Sequence, residues 1–248
     1  MTAPSAALLA ARLEARLRAV ARPERAEQER RYLKSDLEFL GATVWQIRAA
    51  VKELLAGLEE DLDHHRLIEL AEILWREPMH ERRMAAVVLL EVRSGLLSVG
   101  DLPFIERLIR ESRTWALVDG LAADVVGDIL SADEEGTLPV LDRWAADHDF
   151  WVRRSALLAW LRPLRRGAPL DHFVGMADAM LDEREFFIRK AIGWVLREVG
   201  KRRPEPVAAW LAPRTHRVSG VTIREAVKYL PAPVRAELMT AYRERRPA

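Results

Sequence analysis

One local pattern returns along this chain at a nearly constant interval, and that interval restricts the possible folds more than any other feature. Arg83 lies in Glu-Arg-Arg-Met-Ala-Ala-Val, Arg154 in Val-Arg-Arg-Ser-Ala-Leu-Leu, Lys190 in Ile-Arg-Lys-Ala-Ile-Gly-Trp and Glu225 in Ile-Arg-Glu-Ala-Val-Lys-Tyr. The successive intervals are 71, 36 and 35 residues, so halving the first points to a further member at 118 or 119, within Leu117-Val-Asp119-Gly-Leu-Ala-Ala. A unit of roughly 35 residues has room for two helices, which cannot bury their apolar faces alone and therefore stack on their neighbours. The spacing predicts an all-α protein, an α-solenoid of about six helix pairs. Arg83, Asp119, Arg154, Lys190 and Glu225 should then form a row along one concave, basic surface.

Composition fits such a stack. Half of the 248 residues are apolar, enough for a substantial core, and a quasi-one-dimensional array can remain one domain over residues 1–248. No period-two run bounded by turn residues suggests a strand. Most prolines, as in Glu77-Pro78, Leu102-Pro103, Arg203-Pro-Glu-Pro206 and Leu230-Pro-Ala-Pro233, punctuate helix ends. Cysteine is absent, which excludes disulfides and thiolate metal sites and suits a cytoplasmic protein. Residues 5–21 are rich in Ala and Arg, but Leu9, Leu13, Leu17 and Val20 keep helical spacing and Glu14 interrupts the basic face, so they read as a first amphipathic helix rather than a transit peptide. No run approaches the ~20 apolar residues of a membrane span.

The net charge of +1 conceals an uneven distribution. Acidic residues crowd the first part, as in Glu59-Glu-Asp-Leu-Asp63, whereas Arg162, Arg165, Arg166, Lys201, Arg202, Arg203, Arg214, Arg217 and Arg224 gather later. Between Glu185 and Glu198 a helical pattern sets Lys190, Trp194 and Arg197 on one face, opposite an apolar stripe of Ile188, Ala191, Ile192, Val195 and Val199. An indole in a row of cations is a suitable surface for a phosphate backbone. A second pair stands out in Arg113-Thr-Trp-Ala-Leu-Val-Asp-Gly, where Trp115 and Asp119 share a helix face. A carboxylate in a basic row repels phosphate, and its presence suggests that positive charge develops beside it, as at a sugar becoming an oxocarbenium ion. Zinc-protease, serine-hydrolase, P-loop and dinucleotide motifs are all missing. The histidines lack metal-ligand spacing, and His64-His65 reads as an exposed loop pair. Trp45, Trp75, Trp144, Trp160 and Trp210 sit among apolar residues and are expected in the core.

With these segments in view, the chain resembles the AlkD-type DNA alkylation repair glycosylases, which are built from HEAT-like repeats. The resemblance begins at Tyr32-Leu-Lys-Ser-Asp-Leu-Glu-Phe-Leu-Gly41, continues through Thr114-Trp-Ala-Leu-Val-Asp119 and Phe150-Trp-Val-Arg-Arg-Ser-Ala156, and is closest from Glu185 to Glu198. It implies a monofunctional glycosylase that hydrolyses the N-glycosidic bond of cationic N-alkylated purines, typified by 3-methyladenine and 7-methylguanine, in duplex DNA, without a bound cofactor or metal. The base would be removed while still stacked in the duplex. The family's lesion-site residues match Trp115, Asp119, Arg154 and Trp194, and relatives without excision activity tend to lack part of this set. Tyr32, Arg153, Arg189, Lys190 and Arg197 are the expected DNA contacts, and the expected form is a monomer with no membrane partner. Ala116 and Leu117 stand where some relatives carry bulkier or polar residues, which bears on lesion preference. Two other readings fit the repeats: a noncatalytic binder of DNA structure from the same family, and a scaffold for a protein partner.

Overall fold

The computed structural model describes residues 4–58 and 62–244, so Glu59, Glu60 and Asp61 of the acidic run lie outside the described residues. Among the described residues the regular structure is helical, with no strand beyond an isolated parallel bridge between Glu38 and Met79. No described helix is long and apolar enough to cross a membrane. The chain forms two compact units that divide after Val125.

The first unit holds α1 (Ala6–Ala19), α2 (Pro23–Leu33), α3 (Val44–Ala56), α4 (His64–Arg76), α5 (His80–Val92), α6 (Leu102–Ser112) and α7 (Trp115–Gly120). The N-terminal helix forms as its spacing predicts: Ser5 caps it, and Leu9, Leu13 and Leu17 are fully buried. A capping box of Thr43 and Gln46 opens α3 and satisfies two otherwise unpaired N–H groups. That helix buries Ile47, Ala50, Val51, Leu54 and Leu55. Trp45 is out of phase with this stripe and falls on the side of Arg48 and Lys52. It is 79% exposed, contrary to the core position expected of it, whereas Trp75, Trp144, Trp160 and Trp210 are buried. His64 and His65 also differ from expectation, since they open α4 rather than lie in a loop. Asp63 caps this helix, and His64 Nε2 lies 2.7 Å from Asp101.

Helix α2 is anchored differently from its neighbours, because Leu33 alone among its residues is buried. Its position depends on the segment that follows. The fully buried Glu81 carboxylate accepts the N–H groups of Leu40, Gly41 and Ala42, at 2.9, 2.7 and 3.2 Å. Gly41 has φ of 84°, and a Cβ there would lie 2.1 Å from the Arg22 carbonyl oxygen. Only glycine permits both the left-handed turn and this approach.

From α7 the chain continues through a π-helical turn, Leu121–Val126, into α8 (Gly127–Ala132). The second unit then contains α9 (Glu134–Ala145), α10 (Phe150–Leu158), α11 (Leu161–Arg165), α12 (Asp171–Ala179), α13 (Phe186–Gly200), α14 (Pro204–Leu211), α15 (Gly220–Ala226) and α16 (Ala232–Glu244). The apolar stripe read on α13 is buried throughout: Ile188, Ala191, Ile192, Val195 and Val199. Pro23, Pro103 and Pro204 occupy first turns, where the missing N–H has no intrahelical partner to lose. Pro139 is an exception and lies inside α9.

The repeat is visible in the elements and in their polar contacts. Arg83, Asp119, Arg154, Lys190 and Glu225 lie in the first two turns of α5, α7, α10, α13 and α15. Side chains then reach across one period: Trp75 Nε1 donates to Glu111, Arg162 pairs with Asp128, Arg214 with Asp178 and Arg217 with Asp182, at separations of 36, 34, 36 and 35 residues. Several arginines of the basic second half are therefore matched by acids within that unit. The exposed pair among them, Arg217 with Asp182, contributes about 0–1 kcal/mol.

Candidate functional site

Trp115 begins α7 and Asp119 follows one turn later; both are half-buried. The helix comes close to α5 at Gly120, where a Cβ would lie 2.7 Å from Val87 Cγ1. Tyr32, at the end of α2 and 71% exposed, meets Trp115 edge to face with ring centroids 5.9 Å apart. The edge of one ring against the face of the other is a favoured aromatic geometry and fixes the indole plane. The π-helical turn starts two residues after Asp119, and such turns recur at functional positions because they shift the register of the side chains around them.

The backbone beside each of these rings is unusual. Lys34, two residues after Tyr32, has φ of 48°, and Arg113, two residues before Trp115, has φ of 49°. They terminate α2 and α6 in the left-handed conformation that glycine normally supplies. Asp36 accepts a 3.0 Å bond from Arg113 and so ties the two segments together. Sequence reading did not single out Lys34 or Arg113, since nothing in the spacing marks which residue beyond a helix end turns left-handed.

In the second unit Arg154 is only 3% exposed. Its guanidinium donates to the Phe187 carbonyl at 2.6 Å and lies 5.7 Å from the Phe187 ring, tying α10 to the start of α13. Phe187 also packs tilted against Trp151 at 4.7 Å and stacks with Phe150 at 6.1 Å, an aromatic group that the sequence reading left unassigned. Arg153 donates to both Glu183 carboxylate oxygens, at 2.9 and 2.8 Å, while Arg189 Nε donates to the Glu183 carbonyl at 2.6 Å. These two arginines thus hold the segment that leads into α13.

Trp194, half-buried on α13, is flanked in sequence by Lys190 and Arg197 as the helical period requires. Both cations donate to one carboxylate, Glu225 of α15, with Lys190 on Oε1 and Arg197 on Oε2. Burial opposes the charge on Glu225, but the Lys190 hydrogen bond and the Arg197 charge outweigh it and hold the carboxyl below its ordinary range. Gly193 makes this bridge possible, because a Cβ there would lie 2.7 Å from Glu225 Cβ and 2.8 Å from the Thr222 carbonyl oxygen. Among the described residues no group of three or more His, Asp or Glu side chains is arranged to hold a metal ion. Within their own units, then, the structure joins Tyr32 to Trp115 and joins Lys190 and Arg197 through Glu225.

A family model described as DNA alkylation repair enzyme matches residues 13–230. The chain belongs to that family. Its fold is similar to that of a predicted DNA alkylation repair enzyme from Enterococcus faecalis, with a TM-score of 0.76 and 24% identity over 86% of this chain and 97% of the other. AlkD2 from Streptococcus mutans is more distant, with a TM-score of 0.60 and 17% identity over 84% of this chain and 100% of the other. No curated protein matches the chain significantly. The all-α helical-repeat fold expected from the 35-residue period is the fold of these relatives.

Proposed function

We propose that this member of the DNA alkylation repair family is a DNA glycosylase that releases cationic N-alkylated purines from duplex DNA. The observation that carries this reading is the Tyr32–Trp115 pair, which fixes an indole one helical turn from Asp119. Alkylation at a ring nitrogen gives the base a positive charge and makes it a good leaving group, so the enzyme need not supply a strong general acid. As the glycosidic bond breaks, the bonding electrons leave with the base and positive charge develops on the deoxyribose. Asp119 stabilises that charge and orients the attacking water, while the Trp115 face favours a cationic sugar. Water adds to the anomeric carbon and loses its proton, which leaves an abasic sugar and a neutral base. Lys190 and Arg197 hold phosphates, with Trp194 between them offering its face to the strand. Tyr32 lies beside the sugar-phosphate backbone, and Arg153, Arg154 and Arg189 preserve the shape of the surface that meets DNA.

The test is single-turnover release of 7-methylguanine from methylated duplex DNA at saturating protein. Asp119→Asn should fold normally and bind DNA at least as tightly as wild type, since it removes a charge that repels phosphate. Its release rate should fall by ~10²-fold or more, the scale of losing ~3 kcal/mol of transition-state electrostatics. Equal rates would remove Asp119 from the chemistry. DNA binding by both proteins without release by either would favour the noncatalytic DNA binder instead.

A further inference from the structure

Within the first unit, a cavity of about 360 Å³ is bordered by Arg83, Arg110, Arg113, Asp36 and Glu111. Three arginines thus border a space large enough for a phosphate, and one of them, Arg110, donates to Glu106 at 2.6 Å. Arg83, half-buried, donates to the carbonyl oxygens of Trp75 and Glu111, at 3.2 and 2.7 Å. Those acceptors carry no formal charge. The Glu111 carboxylate is directed instead to Trp75 Nε1 at 2.9 Å and to Arg107 at 3.4 Å. Burial pulls the Arg83 guanidinium below its ordinary proton affinity; Glu111 opposes the shift and the neighbouring Arg113 adds to it. Asp36 meets Arg113 in an ion pair whose side chains are 66% and 70% exposed, open enough for another anion to replace the carboxylate.

The backbone supplies an independent observation. Arg113 holds φ of 49°, a conformation glycine adopts without strain and other residues adopt at a free-energy cost. That conformation ends α6, as Lys34 ends α2, and here it sets the residue at the border of the cavity. Arg113 places a guanidinium at the cavity, two residues before the indole.

We propose that this cavity binds one phosphodiester of the DNA strand, with Arg113 as its exposed arm, Arg83 as its half-buried floor and Arg110 as its third cation. The site rests on the reading that the protein takes duplex DNA, and it extends the grip on the backbone to the first unit. In the free protein Asp36 stands in for the phosphate on Arg113. When DNA binds, the phosphodiester oxygens accept from the arginines, and Asp36 is released to water.

The decisive variant is Arg113→Gly, which removes the guanidinium while favouring the left-handed backbone. Its Tm should hold or rise. Its affinity for an undamaged duplex should nevertheless fall about tenfold at low salt, with a log–log salt dependence shallower by roughly 0.9. Arg113→Lys should recover most of the salt dependence. A neutral methylphosphonate walked along each strand identifies the contact: at one position, wild type and Arg113→Gly should bind equally. Unchanged affinity and slope in Arg113→Gly would overturn the proposal, as would a deficit that persists on every methylphosphonate duplex, which would assign the effect to a free anion or to folding. Because binding is read on undamaged DNA, an absence of base release from methylated duplex would count against the glycosylase reading alone. Failure of the wild type to bind duplex DNA would overturn both.

Discussion

His80 shows how burial sets the behaviour of one side chain. It is 2% exposed and stacks on Phe39 with ring centroids 4.9 Å apart. Burial, helped by the charge of Arg25, lowers its pKa from 6.5 to about 4. The folded state therefore keeps His80 neutral while the unfolded chain takes up a proton between these values. Stability is complete above pH 6.5 and is lost as the pH falls toward 4, by ~3 kcal/mol from this residue. Urea unfolding at pH 7.5 and 4.5 should show the loss, and His80→Phe, which keeps a ring against Phe39, should reduce it. An unchanged difference between the two pH values in that variant would assign the acid sensitivity to other groups. Glu225 follows the same linkage in a lower window, although its stabilised form is the charged one: its stabilising pairs are present above the ordinary carboxylate value of 4.5 and are lost as the pH falls below it.

The elements that carry the candidate residues are held by contacts at glycine rather than by apolar area alone. Helix α13 and helix α15 approach so closely at Gly193 that Glu225 can bridge Lys190 and Arg197. Gly193→Ala places a Cβ 2.7 Å from Glu225 Cβ and 2.8 Å from a backbone oxygen, so the helices must separate. The expected loss is ~1–3 kcal/mol in urea titrations. A variant as stable as wild type would show that the approach can relax without strain. The same reasoning applies to α2, where Gly41 and Glu81 fix the segment after a helix that buries Leu33 and little else. Tyr32 reaches Trp115 from this polar helix, so their contact depends on backbone geometry elsewhere.

Across the whole molecule, affinity for DNA should be electrostatic and largely independent of sequence, because the proposed cations meet phosphates. Binding measured against salt should weaken by roughly 0.9 log units per log unit of salt for each phosphate neutralised. Lys190→Ala and Arg197→Ala should each flatten that dependence, although Glu225 moderates the change by pairing with whichever cation remains. Salt-insensitive association would favour a protein scaffold over a DNA enzyme. The sequence by itself determined the helical repeat, the buried stripe of α13 and the shared helix face of Trp115 and Asp119. Each follows from a local period of 3.6 residues or from one repeated unit of about 35, and such periods are written along the chain. The tertiary structure alone decided that Tyr32 meets Trp115, that Glu225 joins Lys190 to Arg197, that Trp45 faces solvent, and that Lys34 and Arg113 turn left-handed. Those outcomes depend on close approaches between segments distant in sequence and on where a helix end is forced to turn, and neither leaves a periodic trace in the residues themselves.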